Sequence, residues 1–179
     1  MSVISSERLD LVPMGPAFLR ASLGGDLAAA SSAIGAILPL EWPSLPDILE
    51  MRLRQMEADP ELESWLLRAM VLRETRLMVG FLGFRTAPGP QYLEEWSPGA
   101  IEFGFSVSDN HRRLGYAREA ARGLMGWAVE RGVRNFVLTI RPDNLPSLAL
   151  AAQLGFRKIG EHVDEVDGPE EVFELRTAG

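Results

Sequence analysis

The chain has no cysteine among its 179 residues, which excludes disulfide staples, thiolate metal sites and a cysteine nucleophile. Its two histidines, His111 and His162, are too few and too far apart in sequence for a histidine-rich centre, so no metal is expected. No apolar run approaches the ~18 residues of a membrane-spanning helix. The N-terminus carries Glu7, Arg8 and Asp10 where a secretory leader would be apolar. A soluble, cytoplasmic chain with no membrane partner is the expectation. Positive charge is scarce too: 18 Lys and Arg stand against 25 Asp and Glu, a net charge of −7. That acidity argues against a broad nucleic-acid footprint, whose binding would weaken steeply with salt.

What is present fits one domain spanning residues 1–179, with 46% hydrophobic and 24% charged residues as in ordinary globular chains. A chain of this length buries roughly two-thirds of its extended surface and needs no staples. The charge is unevenly placed. Residues 111–141 hold seven arginines against Glu119 and Glu130, a formal +5, so the rest carries −12 to reach −7. One segment is suited to a small phosphorylated ligand.

Arg8-Leu9-Asp10-Leu11-Val12-Pro13 alternates and stops at proline, a short strand. Residues 16–37 are rich in Ala and Leu and broken by Gly24-Gly25, giving two short helices. Leu45, Ile48, Leu49, Leu53 and Met56 recur at helical spacing until Asp59-Pro60. Residues 65–72 and 77–84 are apolar runs around Arg73-Glu74-Thr75-Arg76, a β-hairpin. Residues 86–99 form a Gly/Pro loop long enough to suggest a function. Strands follow at 101–107, 135–140, 156–163 and 172–175, with helices closed by Gly132 and Gly155. On the first of these helices Ala117, Ala120, Ala121, Leu124, Met125, Ala128 and Val129 share one face. The sum is a mixed α/β sheet with helices packed on its faces.

Arg112-x-x-Gly115-x-Ala117 joins a strand's end to a helix start, where unpaired N–H groups and the positive end of the helix dipole attract phosphate oxygens. Gly115 lets backbone approach a ligand, Ala117 keeps the first turn narrow, and nearby arginines can reach a further phosphate. The plainer alternative is a turn glycine beside a solvated basic helix. Asn144, with Ser147 three positions on, fits a helix N-cap as well as a ligand contact.

Taken in order, Ile101-Glu102-Phe103-Gly104-Phe105, Asp109 to Ala120, Asn144-x-x-Ser147 and Leu154-Gly155-Phe156 resemble the GNAT acetyltransferase superfamily. Within it the pattern is similar to the RimJ/RimL-like branch of ribosomal-protein N-terminal acetyltransferases. The likeness is dense from about 77 to 160, and Glu7 to Pro13 resembles that branch's first strand; residues 16–60 are generic. The resemblance implies a mixed, mostly antiparallel sheet with helices on both faces and a V-shaped opening that takes the pantetheine arm of acetyl-CoA. Strand 103–107, with Phe105, Ser106 and Val107, would hydrogen-bond that arm. Arg112, Arg113, Leu114, Gly115, Tyr116, Ala117 and Arg118 would hold the pyrophosphate, and Asn144 would touch the arm or the chain lining it.

An amine attacks a thioester only when neutral, so a base must take its proton. Glu102, matching the family's Glu, is the candidate, directly or through water; its bland alternative is an exposed glutamate on an alternating strand. A backbone N–H near Val107 would stabilise the oxyanion. Many family members place a tyrosine acid four residues before the Gly-Phe glycine, where this chain has Ala151. Ser147 matches the branch's serine and is the candidate donor to the leaving sulfur. Trp42, Trp65 and Trp96 could line an acceptor site, and Glu41, Glu94 and Glu95 could draw in a cationic amine, although core packing and solvation account for such residues equally well. The expected activity is N-acetylation of a protein N-terminus or a small amine by direct attack in a ternary complex. The competing expectation is a non-catalytic acyl-CoA-binding sensor. An edge strand near the C-terminus makes a homodimer a further expectation.

Overall fold

Two strands open the chain, β1 (Ile4–Ser5) and β2 (Leu9–Pro13), the second confirming the alternation and the first too short to show one. The computed structural model describes residues 2–164 and 168–177. These fall into two compact units, one of Met1–Gly83 with Phe105–Gly123 and one of Phe84–Gly104 with Leu124–Gly179.

In the first unit, β1 and β2 are followed by α1 (Pro16–Leu23), α2 (Leu27–Ile34) and α3 (Pro46–Ala58). The break between α1 and α2 falls at Gly24-Gly25, as the glycines dictate, and Asp26 then caps α2 by accepting the Ala29 N–H at 2.9 Å. The hairpin expected around 73–76 is β3 (Leu67–Leu72) and β4 (Met78–Phe84). Its strands run antiparallel, and β1-β2-β3-β4 lie in that order. Phe18, Leu19, Trp42, Leu49, Met56, Leu66 and Phe81 are buried together against this sheet. Gly80 and Gly83 on β4 are there for space: a Cβ at Gly80 would run into the Ser106 carbonyl, and one at Gly83 into that of Leu66. A 3-10 turn at Pro60–Ser64, started by Asp59, was not legible in the sequence.

The second unit is ordered β5-β6-β8-β7. Here β5 (Ile101–Val107) pairs in parallel with β6 (Asn135–Ile140) through Ile101↔Phe136 and Glu102↔Val137. The other two pairs, β6 with β8 (Gly168–Arg176) and β8 with β7 (Arg157–Asp164), are antiparallel. Helix α4 (Tyr116–Val129) precedes β6, and α5 (Leu145–Leu154) follows it, ending at Gly155 with φ 89°. Residues 165–167, between the expected closing strands, lie outside the described residues. The core is aromatic: Phe84 meets Phe103 edge-on at 6.2 Å and stacks with Trp127 at 6.5 Å, and Phe103 meets Phe156 at 6.1 Å. Trp127 thus joins the apolar face of α4, which the alanine and leucine spacing alone left without it.

The 86–99 loop is fastened to this unit rather than loose. Ser97 donates to Glu174, Asn135 Nδ2 donates to the Pro98 carbonyl at 3.1 Å, and Trp96 packs on Leu93, Val137 and Val172. Gly160 on β7 lies flat against the Trp96 ring, which a Cβ there would overlap. A Gly160→Ala chain should therefore lose about 1–3 kcal/mol of stability by overpacking. Urea unfolding followed by tryptophan fluorescence checks this; an unchanged midpoint would show that the ring shifts freely.

Candidate active site

Burial along β5 changes abruptly. Ile101, Glu102 and Phe103 are buried, Gly104 is exposed, and Phe105, Ser106 and Val107 are half-buried. The Arg85 N–H donates to the Glu102 carbonyl at 2.9 Å, and the Ser108 N–H donates to the Val79 carbonyl at 3.0 Å. Alternation between those two bonds turns the backbone groups of Phe105 and Val107 away from β4, toward the other edge of β5. The Val107 carbonyl on that edge accepts from Arg112 Nε at 3.1 Å, and Arg112 Nη2 pairs with Asp109 at 2.6 Å. Arg112 therefore braces the strand's exit with its guanidinium, while its N–H closes the preceding 3-10 turn on the Asp109 carbonyl at 3.3 Å.

That turn is exposed from Arg112 to Gly115 and contains two left-handed residues, Arg113 at φ 61° and Gly115 at φ 84°. A non-glycine at positive φ costs energy, so the shape of this turn is imposed from outside. Arg8 imposes it. Its Nη1 donates to the Leu114 carbonyl at 3.0 Å, its Nε pairs with Glu119 at 2.7 Å, its backbone N–H donates to Glu119 at 2.7 Å, and its guanidinium lies 4.6 Å over the Tyr116 ring. Ser6 adds a hydroxyl to Glu119 at 2.7 Å. Burial alone would raise the Glu119 carboxyl, but the Arg8 N–H, the Ser6 hydroxyl and the Arg8 guanidinium outweigh it and hold the group below its ordinary value. Among the described residues Arg113 and Arg118 have no ion-pair partner. The first N–H groups of α4 have no partner within the helix. A turn with exposed donors and uncommitted arginines fits an anion.

The same unit holds a pocket of about 500 Å³. Trp42, Met78 and Phe81 supply apolar wall, Ser106 and Val107 bring β5 to it, and Glu41 supplies a carboxylate. Trp42 is also a core residue, pinned by donating its ring N–H to Ser22 at 2.9 Å, with Phe18 tilted against it at 5.6 Å and Phe81 edge-on at 5.9 Å. It serves both packing and pocket.

In the second unit, Glu102 is not an exposed strand residue: only 1% of it is accessible. Arg85 Nε lies 3.0 Å from its Oε1, the Thr139 hydroxyl donates to the same oxygen, and the Tyr92 hydroxyl donates to Oε2 at 2.9 Å. Arg85 also donates to Thr139 Oγ1 at 3.3 Å. Asn144 caps α5, its Oδ1 accepting the Ser147 N–H at 3.3 Å, so the capping alternative is realised and its amide nitrogen is what is left for a ligand. The Ser147 hydroxyl, half-buried in the first turn of α5, has no partner among the described residues. Ala151, where a tyrosine acid would stand, is fully buried. His162, which showed no partner in sequence, has Glu170 at 3.7 Å. Arg8, Arg85 and Thr139 escaped sequence reasoning, because nothing local marks contacts made across tens of residues.

Residues 28–157 match the sequence profile of the acetyltransferase (GNAT) domain, well over half of the chain. The chain belongs to the GNAT acetyltransferase family. The resemblance read from the sequence is thereby shown, and the curated relatives the chain matches are named N-acetyltransferases. The uncharacterized N-acetyltransferase YjdG of Bacillus subtilis (strain 168) is 31% identical over 123 residues, 65% of this chain and 67% of that protein. The chain spans between about half and two-thirds of the length of the curated relatives it matches. Among solved structures, the ribosomal-protein-S5-alanine acetyltransferase from Vibrio fischeri shares the fold at a TM-score of 0.67 and 14% identity, covering 98% of this chain and 97% of that one. The microcin C7 self-immunity acetyltransferase MccE, in complex with acetyl-CoA and AMP, does so at 0.63 and 14%, covering 96% and 94%. GNAT acetyltransferases use acetyl-CoA, and the turn and the open strand edge suit its two polar parts. Among the described residues no cluster of ligating side chains could hold a metal ion, and no helix is long and apolar enough to cross a membrane.

Proposed function

We propose that this chain transfers an acetyl group from acetyl-CoA to a primary amine, and that it falls in the RimJ/RimL-like branch. The observation that carries the reading is the pairing of an open β5 edge at Phe105 and Val107 with the left-handed turn at Arg113 and Gly115. Phe105, Ser106 and Val107 hold the pantetheine arm. The turn from Arg113 to Ala117 takes the pyrophosphate with backbone N–H groups, Arg113 and Arg118 meet the remaining phosphate charge, and the Asn144 amide nitrogen, outside its helix cap, is left for a ligand. Acetyl-CoA supplies the activated acyl group. Glu102 receives the amine proton through water, the Val107 N–H supports the oxyanion, and the Ser147 hydroxyl donates to the departing sulfur.

The pocket supports an acceptor with an apolar body and a cationic amine. Trp42, Met78 and Phe81 would pack the body, while Glu41 draws in the charge; Asp109 is already committed to Arg112. A peptide N-terminus with an apolar first residue and a small arylalkylamine both meet that description. The engagement of Glu102 by three donors favours a second reading, an acyl-CoA-binding module without turnover. Calorimetric titration with acetyl-CoA, followed by thiol release over a panel of N-terminal peptides and small amines, separates them. Micromolar binding with amine-dependent thiol release is expected. Binding with no release from any amine would favour the module, and no binding would remove both.

A further inference from the structure

We infer that Arg8 is a positioning residue for coenzyme A binding: it aims the Gly115 N–H at the pyrophosphate by holding the Leu114 carbonyl, and it removes Glu119 as a competitor for the helix N-terminus. The inference rests on the proposed role of the 112–118 turn.

Two negative features sit where an anion would have to bind. One is the Leu114 carbonyl, inside the turn itself. The other is the Glu119 carboxylate, in the first turn of α4, where a side-chain anion is favoured by the same dipole that would attract a phosphate. Arg8 engages both at once, with Nη1 on Leu114 and Nε on Glu119. The peptide unit is planar and trans, so a Leu114 carbonyl fixed toward Arg8 sends the Gly115 N–H in the opposite direction. The guanidinium fork does this as a lysine could not, because a single ammonium cannot span a carbonyl and a carboxylate in one fixed plane. Arg8 stands in the bend just before β2 and is in turn located by Arg73, which follows β3: the Arg73 N–H donates to its carbonyl at 3.0 Å, and Arg73 Nη1 donates to the Ser6 carbonyl at 3.1 Å. The bend between β1 and β2 therefore sets a turn more than a hundred residues away in sequence.

The test compares coenzyme A with pantetheine, which has the arm but no pyrophosphate, on wild type, Arg8→Gln and Arg8→Lys. Calorimetry reads the first ligand and amide chemical-shift titration the second, whose spectra also report whether each variant is folded. Wild type should prefer coenzyme A strongly. Both variants should lose about tenfold or more of coenzyme A affinity, the scale of one charge-assisted hydrogen bond. Pantetheine affinity should stay within roughly twofold, since its contacts lie on β5. Should Arg8→Gln fail to fold, Arg8→Lys carries the same prediction. Wild type binding both ligands equally would instead remove the pyrophosphate role of the turn. A preserved preference in the variants, or rescue by lysine alone, would overturn the positioning role and leave the turn's role standing.

Discussion

Gly115→Glu should abolish coenzyme A binding, a loss of roughly a hundredfold or more. Two costs add. At φ 84° an ordinary side chain is strained by about 1–2 kcal/mol, so the turn would relax toward negative φ and re-aim its N–H groups. The new carboxylate would also stand at the start of α4, where it repels the pyrophosphate and takes the helix dipole for itself, at about 1 kcal/mol. Together these reach roughly 2–3 kcal/mol, near a hundredfold in Kd. A Cβ at this position would lie 3.4 Å from Arg8 Nη2, close enough for the introduced carboxylate to draw Arg8 from Leu114. Gly115→Ala separates the parts, since it carries the strain without the charge and should lose about tenfold. Calorimetry on the three chains, with thermal melts to confirm folding, makes the comparison. Unimpaired binding by the glutamate variant would mean that the glycine only shapes a helix start.

The chain's punctuation made most of the fold legible. Gly24-Gly25, Asp59-Pro60, Gly132 and Gly155 each end an element because glycine and proline act on their own backbone, with no help from tertiary contacts. Local chemistry of that kind reads directly from sequence. β1, two residues long, and the 3-10 turn at Pro60–Ser64 have no periodicity to read. Trp127, three positions after Leu124 and seven after Ala120, borders the alanine and leucine face read for α4 without being counted in it, and it stacks on Phe84 in the core.

The candidate site divides along the same line. The turn glycine, the strand leading into it and the Asn144 cap are local features, and all three are where the spacing put them. Support is non-local. Arg8 meets Glu119 across 111 residues, and Thr139 meets Glu102 across 37. A single sequence shows Arg8 as one more charge on an alternating strand, while the fold turns it into the residue that shapes the turn. The same blindness made Glu102 look like an exposed strand residue as readily as a base, when burial and three donors are what define it.

Those donors decide what to expect of Glu102→Gln. The glutamine keeps the shape and one acceptor oxygen. If that oxygen stays with Arg85 and Thr139, its amide nitrogen faces the Tyr92 hydroxyl, which can rotate to accept instead of donate. The variant should therefore fold, losing about 1–3 kcal/mol because a buried carboxylate opposite Arg85 has become neutral; partial exposure of Arg85 keeps the cost from being larger. Turnover is a separate matter. A positioned base contributes about 10²–10⁴-fold, so kcat should fall by at least about a hundredfold. The KM for acetyl-CoA should move by less than roughly twofold, because Glu102 removes a proton and does not hold the phosphates. Residual activity should climb with pH, as bulk solvent, rather than a carboxylate, then supplies the neutral amine. Steady-state kinetics across pH with an active amine from the panel reads all three quantities. A stability loss with kcat intact would make Glu102 an anchor between β5 and β6, its three donors serving the sheet, and would send the search for the base to the water-accessible edge of β5.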